Sequence, residues 1–157
     1  MKISDIYKIF NKHPNVTTDT RNIKENSIFF ALKGDNFNGN EFAKKAIADG
    51  CHYAIIDQDE FKLNEKYILV ENVLECLQDL ASYHRDQLII PVIGITGTNG
   101  KTTSKELIHS CLSTELNTLA TDGNYNNHIG VPLTLLRVKK EHDIAIIEMG
   151  ANHENEI

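Results

Sequence analysis

Short apolar runs alternate with amphipathic stretches along the whole chain. Ser4 is placed to cap a helix through about Lys12, with Ile6, Ile9 and Phe10 on one face and His13-Pro14 ending it. The run SIFFAL (27–32) reads as a strand, and the loop KGDNFNGN that follows is rich in glycine and asparagine. Asn40 can cap a helix through Asp49, which Gly50 would close. HYAIID (52–57) and YILVEN (67–72) read as two more strands, separated by a charged, solvated loop. From Val73 to about Gln87, Val73, Leu74, Leu77, Leu80, Ala81 and Leu88 recur at helical spacing.

A second alternating block begins near Pro91. Strand 92–96, helix 102–113 and strand 117–121 form a βαβ pattern. After the polar loop DGNYNNHIG come a short helix around Pro132–Arg137 and a strand at 143–149. Such alternation predicts parallel sheets with helices packed on them, so the fold class is α/β. The expected organisation is a small N-terminal α/β domain over 1–90, then the first part of a parallel-sheet domain over 91–157. Three strands are few for an open α/β sheet, and the pattern reads as a fragment of a longer chain.

Composition narrows the classes. A chain of 157 residues, 41% hydrophobic and 24% charged, has the profile of a globular protein. Residues 1–90 carry 11 basic and 14 acidic side chains and residues 91–157 carry 5 and 8, so each part is net −3. With no basic half, general nucleic-acid binding is not expected. Cys51, Cys76 and Cys111 are odd in number and widely spaced, which suggests buried thiols and neither a zinc site nor a disulfide framework. No run reaches the length of a membrane span and the N-terminus lacks a signal-type apolar core, so a cytoplasmic location is expected.

The chemistry concentrates in VIGITGTNGKTTSKEL (92–107). An apolar strand stops at a glycine-bearing loop, then a lysine, two threonines and a helix follow. The strict G-x-x-x-x-G-K-[ST] spacing would need glycine at Ile95, but Gly97 can supply the tight turn. Gly97, Thr98, Asn99, Gly100, Lys101, Thr102 and Thr103 are therefore candidates to cradle phosphate on backbone N–H groups at a helix N-terminus. Lys101 would meet the terminal phosphates, and the Thr102 hydroxyl would ligate the Mg²⁺ that accompanies ATP. The plainer alternative is an ordinary strand-to-helix turn. Glu148 follows the apolar IAII and should stand at the C-terminal end of a buried parallel strand, where it could face Mg²⁺. Its plainer alternative is a surface glutamate where the strand leaves the core.

Three runs taken together, GTNGKTT (97–103), GNYNNHIGVPLTLL (123–136) and EMGANHENEI (148–157), resemble the Mur ligases, ATP-dependent amide ligases of peptidoglycan assembly. Residues 17–57 likewise resemble that family's uridine-nucleotide-binding domain, so the likeness covers nearly the whole chain. The EMGA run and His153 point to the family member that adds D-alanyl-D-alanine to UDP-N-acetylmuramoyl-tripeptide. The resemblance implies ATP and Mg²⁺ as cofactors, with Lys101 and Glu148 in the catalytic set and Thr102, Glu148 and His153 toward the metal. It implies that Asn126 and Asn127 face the substrate and the γ-phosphate region. Thr20, Arg21, Lys33 and Asn38 fall in stretches that resemble the UDP-sugar-peptide site. Thr20 stands where serine is commoner, and Asn38 and Asn40 replace an Asp-Gly-His pattern, keeping polarity but losing charge. The implied reaction activates a carboxylate as an acyl phosphate, which the amine then attacks. The implied protein is monomeric, and this portion is not expected to complete the ligation alone. Two other readings stay open at this point: another Mur-type amino acid ligase, or a stand-alone nucleotide-binding module.

Overall fold

The computed structural model describes residues 1–21 and 23–150. They form two compact units that divide between Tyr83 and His84.

In the first unit, α1 (Ile3–Lys12) opens the chain. Its N-cap is Lys2, so Ser4 lies inside the first turn and makes no cap. Four parallel strands follow in the sheet order β1-β2-β5-β6: β1 (Asn15–Thr17), β2 (Ser27–Phe30), β5 (Tyr53–Ile56) and β6 (Tyr67–Leu69). Strand β1 carries only one apolar residue, Val16, too short a signal to stand out in the sequence. All four residues of β2 are buried, as a central parallel strand requires. Alternate residues take opposite faces: Phe29, Ala54, Ile56 and Tyr67 join Ala43 and Ala46 in one core cluster.

The glycine-rich segment after β2 is not plain loop. It folds into a two-residue hairpin, β3 (Lys33–Gly34) against β4 (Phe37–Asn38). A 3-10 turn (Gly39–Phe42) then leads into α2 (Ala43–Ala48). The cap here is Asn38, whose side chain accepts from the Asn40 N–H, and not Asn40 as the pattern predicted. Asn40 is instead wholly buried and turned toward β5. Helix α3 (Val73–Gln87) is started by Asn72, whose Oδ1 accepts from the Leu74 and Glu75 N–H groups.

The second unit contains β7 (Val92–Ile95), α4 (Lys101–Leu112), β8 (Thr118–Ala120), α5 (Gly130–Leu135) and β9 (Ile144–Glu148). The sheet is parallel in the order β7-β9-β8, so the last strand in sequence is the central one. Its continuous apolar run explains that place, because a central strand is covered on both faces. Leu88, Leu119, Val138, Ala145 and Ile147 form the core, and Ile90, Val92, Val131 and Leu135 pack against it. The last turn of α3 belongs to this unit: the His84 Nε2–H donates to the Val138 carbonyl at 2.8 Å, and Leu88 joins the core. Periodicity alone placed the boundary near 90, since a helix that crosses a division keeps its spacing.

Candidate functional site

Strand β7 ends at Ile95, and the chain turns through 96–100 before α4 begins. Gly97 has φ +143° and Gly100 φ +76°, backbone that side-chain-bearing residues rarely adopt. A Cβ at either glycine would meet no atom within 4 Å, so conformation and not crowding selects glycine there. The first helical bond of α4 runs from the Ser104 N–H to the Gly100 carbonyl at 2.9 Å. The N–H groups before it thus lie at the open, positive end of a twelve-residue helix, an arrangement suited to an anion. The Lys101 Nζ reaches back over the turn to the Gly97 carbonyl at 2.7 Å. Thr98, Asn99 and Thr103 are exposed on the same rim.

Glu148 is the last residue of β9, paired in register with Ile95, so it emerges beside the start of the loop. It is 1% exposed and is no surface glutamate. The Thr102 hydroxyl donates to its Oε1 at 3.1 Å and the Asn126 amide donates to the same oxygen at 2.8 Å. Its Oε2 is buried and, among the described residues, has no hydrogen-bond partner. A buried carboxylate oxygen left so is costly and marks a place for a donor or a cation. Beside the Thr102 hydroxyl, it offers the hard oxygen set that Mg²⁺ prefers.

The paired asparagines divide their roles. Asn126 holds Glu148, whereas the Asn127 Oδ1 accepts from the Ile129 and Gly130 N–H groups at 3.1 and 2.8 Å and starts α5. Gly130 is there because a Cβ would lie 2.4 Å from the Tyr125 carbonyl carbon. His153 lies outside the described residues.

Two residues near this site escaped the sequence reading. Lys105 is 1% exposed, with its Nζ donating to the Thr121 carbonyl at 2.6 Å. Thr121 is 2% exposed, and its Oγ1 accepts from the Glu148 N–H at 2.9 Å. The available signal was register: Lys101, Lys105, Ile108 and Leu112 share one helical stripe, so Lys105 sits where a core residue is due.

The first unit holds a separate polar region. Thr20 and Arg21 line a cleft of ≈ 560 Å³ with Thr18, Asp19, Phe29, Phe37 and Phe42. Phe37 and Phe42 stack with ring centroids 5.2 Å apart, and Phe37 is half exposed. These two aromatics were not anticipated either: Phe37 stands between asparagines and reads as loop, and Phe42 falls inside the helix expected over 40–49. The Arg21 guanidinium grips Asp19 through Nε and Nη2, at 3.0 and 2.7 Å, and holds that carboxyl down to about 2. Lys33 and Asn38 do not line the cleft but belong to a neighbouring network. Lys33 pairs with Asp57 at 2.9 Å, and Asp57 in turn accepts from the Asn40 amide at 2.9 Å. Asn38 Oδ1 accepts from the Asn40 amide, and the Asn38 amide donates to Gln58 at 2.7 Å.

Comparison with known proteins gives this geometry a family. The model of the Mur ligase family catalytic domain matches residues 13–85, and that of the Mur ligase middle domain matches residues 95–156. The chain belongs to the Mur ligase family. Among its Mur ligase relatives is the UDP-N-acetylmuramoyl-tripeptide--D-alanyl-D-alanine ligase of Bacillus subtilis, 41% identical over 144 residues, which cover 90% of this chain and 32% of the relative. The Escherichia coli ligase of the same name is 42% identical over 142 residues, covering 90% of this chain and 31% of the relative. A crystal structure of MurF from Acinetobacter baumannii superposes with a TM-score of 0.81 at 39% identity, covering 90% of this chain and 31% of that one. A structure of MurF ligase from Thermotoga maritima in complex with ADP gives a TM-score of 0.80 at 29% identity, covering 90% and 33%. This Mur ligase chain thus spans about a third of the length of the relatives it matches. Among the described residues no helix is long and apolar enough to cross a membrane.

Proposed function

We propose that this chain is the substrate- and nucleotide-binding portion of an ATP-dependent amide ligase that joins D-alanyl-D-alanine to UDP-N-acetylmuramoyl-tripeptide. The observation that carries the reading is Glu148, buried at the end of β9, with Thr102 and Asn126 on one oxygen and, among the described residues, no partner on the other. Likeness at about 40% identity to ligases of that name supports the choice of substrates.

In this reading the first unit binds the UDP-muramoyl peptide and the second begins the ATP-binding domain. The 96–100 loop and the open N–H groups of α4 hold the phosphates of ATP, and the Lys101 ammonium swings from the Gly97 carbonyl to the terminal ones. Thr102 and Glu148 are the residues that would hold Mg²⁺, with His153 as a further candidate. When bound, the ion neutralises phosphate charge. Asn126 fixes the Glu148 carboxylate, while Asn127 sets the start of α5 and so the position of its neighbour. The substrate carboxylate attacks the γ-phosphate of ATP, the bond to the β-phosphate oxygen breaks and ADP leaves, giving an acyl phosphate. The D-alanyl-D-alanine amine then attacks the carbonyl and inorganic phosphate leaves. No side chain of this chain needs to form a covalent bond. In the first unit, Phe37 and Phe42 offer flat apolar faces to a uracil ring, and Thr20 and Arg21 offer polar contacts to its sugar phosphates. A cytoplasmic, monomeric protein suits soluble nucleotide substrates.

The test is turnover by the full-length protein that carries this sequence, with ATP, Mg²⁺, UDP-muramoyl-tripeptide and a panel of amine acceptors. Phosphate release dependent on D-alanyl-D-alanine is the expected result. Release with a single amino acid instead would overturn the substrate assignment, and no release with any acceptor would overturn ligation. The 157-residue chain alone is expected to bind UDP-muramoyl peptide in calorimetry without turning over.

A further inference from the structure

Helix α4 buries one side chain completely, and it is a lysine. The Lys105 ammonium has two partners, the Thr121 carbonyl at 2.6 Å and the Glu106 carboxylate at 2.9 Å. Glu106 is mostly exposed, so that pair gives little compensation for taking a charge out of water. An apolar side chain in the same register would avoid the cost. What the lysine secures is Thr121, the residue that follows β8. Thr121 donates its N–H to the Ile146 carbonyl at 3.0 Å, gives its carbonyl to Lys105, and takes the Glu148 N–H on its hydroxyl at 2.9 Å. The chain of contacts therefore runs from the phosphate-loop helix, through the end of the edge strand, to the backbone of the carboxylate at the end of the central strand.

We infer that Lys105 and Thr121 are positioning residues that set the backbone of Glu148, and with it the direction of its open Oε2. The inference rests on the reading of Glu148 as the magnesium-side carboxylate. Neither residue needs to touch nucleotide. A hydroxyl at 121 is required because β9 is finishing there and its last N–H has a side chain, not a neighbouring carbonyl, as acceptor. A long donor is needed at 105 because the Thr121 carbonyl takes its hydrogen bond from there, at the point where β8 ends.

The experiment is calorimetric ADP binding by the full-length protein at stepped Mg²⁺ concentrations. Thr121→Val removes the hydroxyl while keeping the shape, and is expected to raise the half-saturating Mg²⁺ roughly 10-fold, the usual loss when a supporting partner of a metal ligand goes. Thr121→Ser is expected to return it to within about twofold of the parent, because the acceptor oxygen is restored. Lys105→Met should follow Thr121→Val. Thermal unfolding of each variant separates positioning from simple destabilisation. If the variants melt earlier but keep the parent's Mg²⁺ dependence, the two residues are only structural and the inference fails. Should Lys105→Met not fold, the valine and serine pair decides alone. Glu148→Gln tests the underlying reading independently: were it to leave the Mg²⁺ dependence untouched, that reading would fall and the inference with it.

Discussion

In the first unit the Lys33 ammonium, the Asp57 carboxylate and the amides of Asn38, Asn40 and Gln58 close on one another, whereas in the second the Glu148 carboxylate keeps one buried oxygen with no partner among the described residues. Both regions bury a carboxylate, at 2% side-chain exposure for Asp57 and 1% residue exposure for Glu148. The first is compensated within the fold and holds a loop in place. The second is compensated, among the described residues, on one oxygen only, which leaves a place for a donor or a cation. Polar residues in a pattern that suggests binding can therefore belong to either kind, and the hydrogen-bond partners separate them.

The largest expected effect breaks the comparison at its open end. Lys101→Ala in the full-length protein should lower kcat roughly 10²–10³-fold, the scale for losing one preorganised donor from a phosphoryl-transfer site. Its thermal midpoint should barely move, because among the described residues the Lys101 side chain bonds only the exposed loop carbonyl of Gly97. Unchanged kcat would remove Lys101 from the catalytic set.

At the closed end the expectation reverses. Asp57→Ala takes one of its two acceptors from the buried Asn40 amide and releases Lys33, and should cost the first unit about 1–3 kcal/mol in urea unfolding, the range for a buried donor left unsatisfied. A cost near zero would mean that the network does not hold the loop.

Acidification should distinguish the units more gently. Burial lowers the His84 pKa, although its bond to the Val138 carbonyl works the other way. The folded second unit then binds fewer protons than its unfolded chain below the ordinary histidine value of about 6.5, so stability is full above that pH and declines as pH falls through it. His84→Gln, which keeps a donor for Val138, should flatten this dependence in pH-stepped unfolding. A parent curve already flat between pH 7 and 5 would contradict the assignment.

The smallest effect is chemical. Burial pushes the Cys76 thiol up to about 12 and raises Cys51 as well, while Cys111 stands exposed on α4. A thiol reagent should label Cys111 first in the native protein and the other two only on unfolding. Rapid labelling of Cys76 would show the first unit to be looser than its closed network implies.

How much was legible depended on how local each cause was. Strands 27–30, 53–56 and 92–95 and the helix at 73–87 were readable because each carries its own apolar spacing. The phosphate loop was readable because its glycines, lysine and threonines are consecutive. Strand β1 has one apolar residue to show, and the spacing predicts a cap at Asn40 because burial against Asp57 leaves no local mark. Lys105 has a register signal, but its partner Thr121 lies 16 residues along the chain and leaves no local mark.

By itself the sequence determined the alternation of strands and helices, and with it the parallel α/β class and the phosphate loop. These follow from neighbours along the chain, through backbone sterics and side-chain period. Only the tertiary structure decided that β9 lies between β7 and β8, that Glu148 thereby meets Thr102 and Asn126, and that Lys105 reaches Thr121. Those contacts join residues 16 to 46 positions apart, and which of them form is set by strand order, a choice the packing of the whole unit makes and no short stretch of chain encodes.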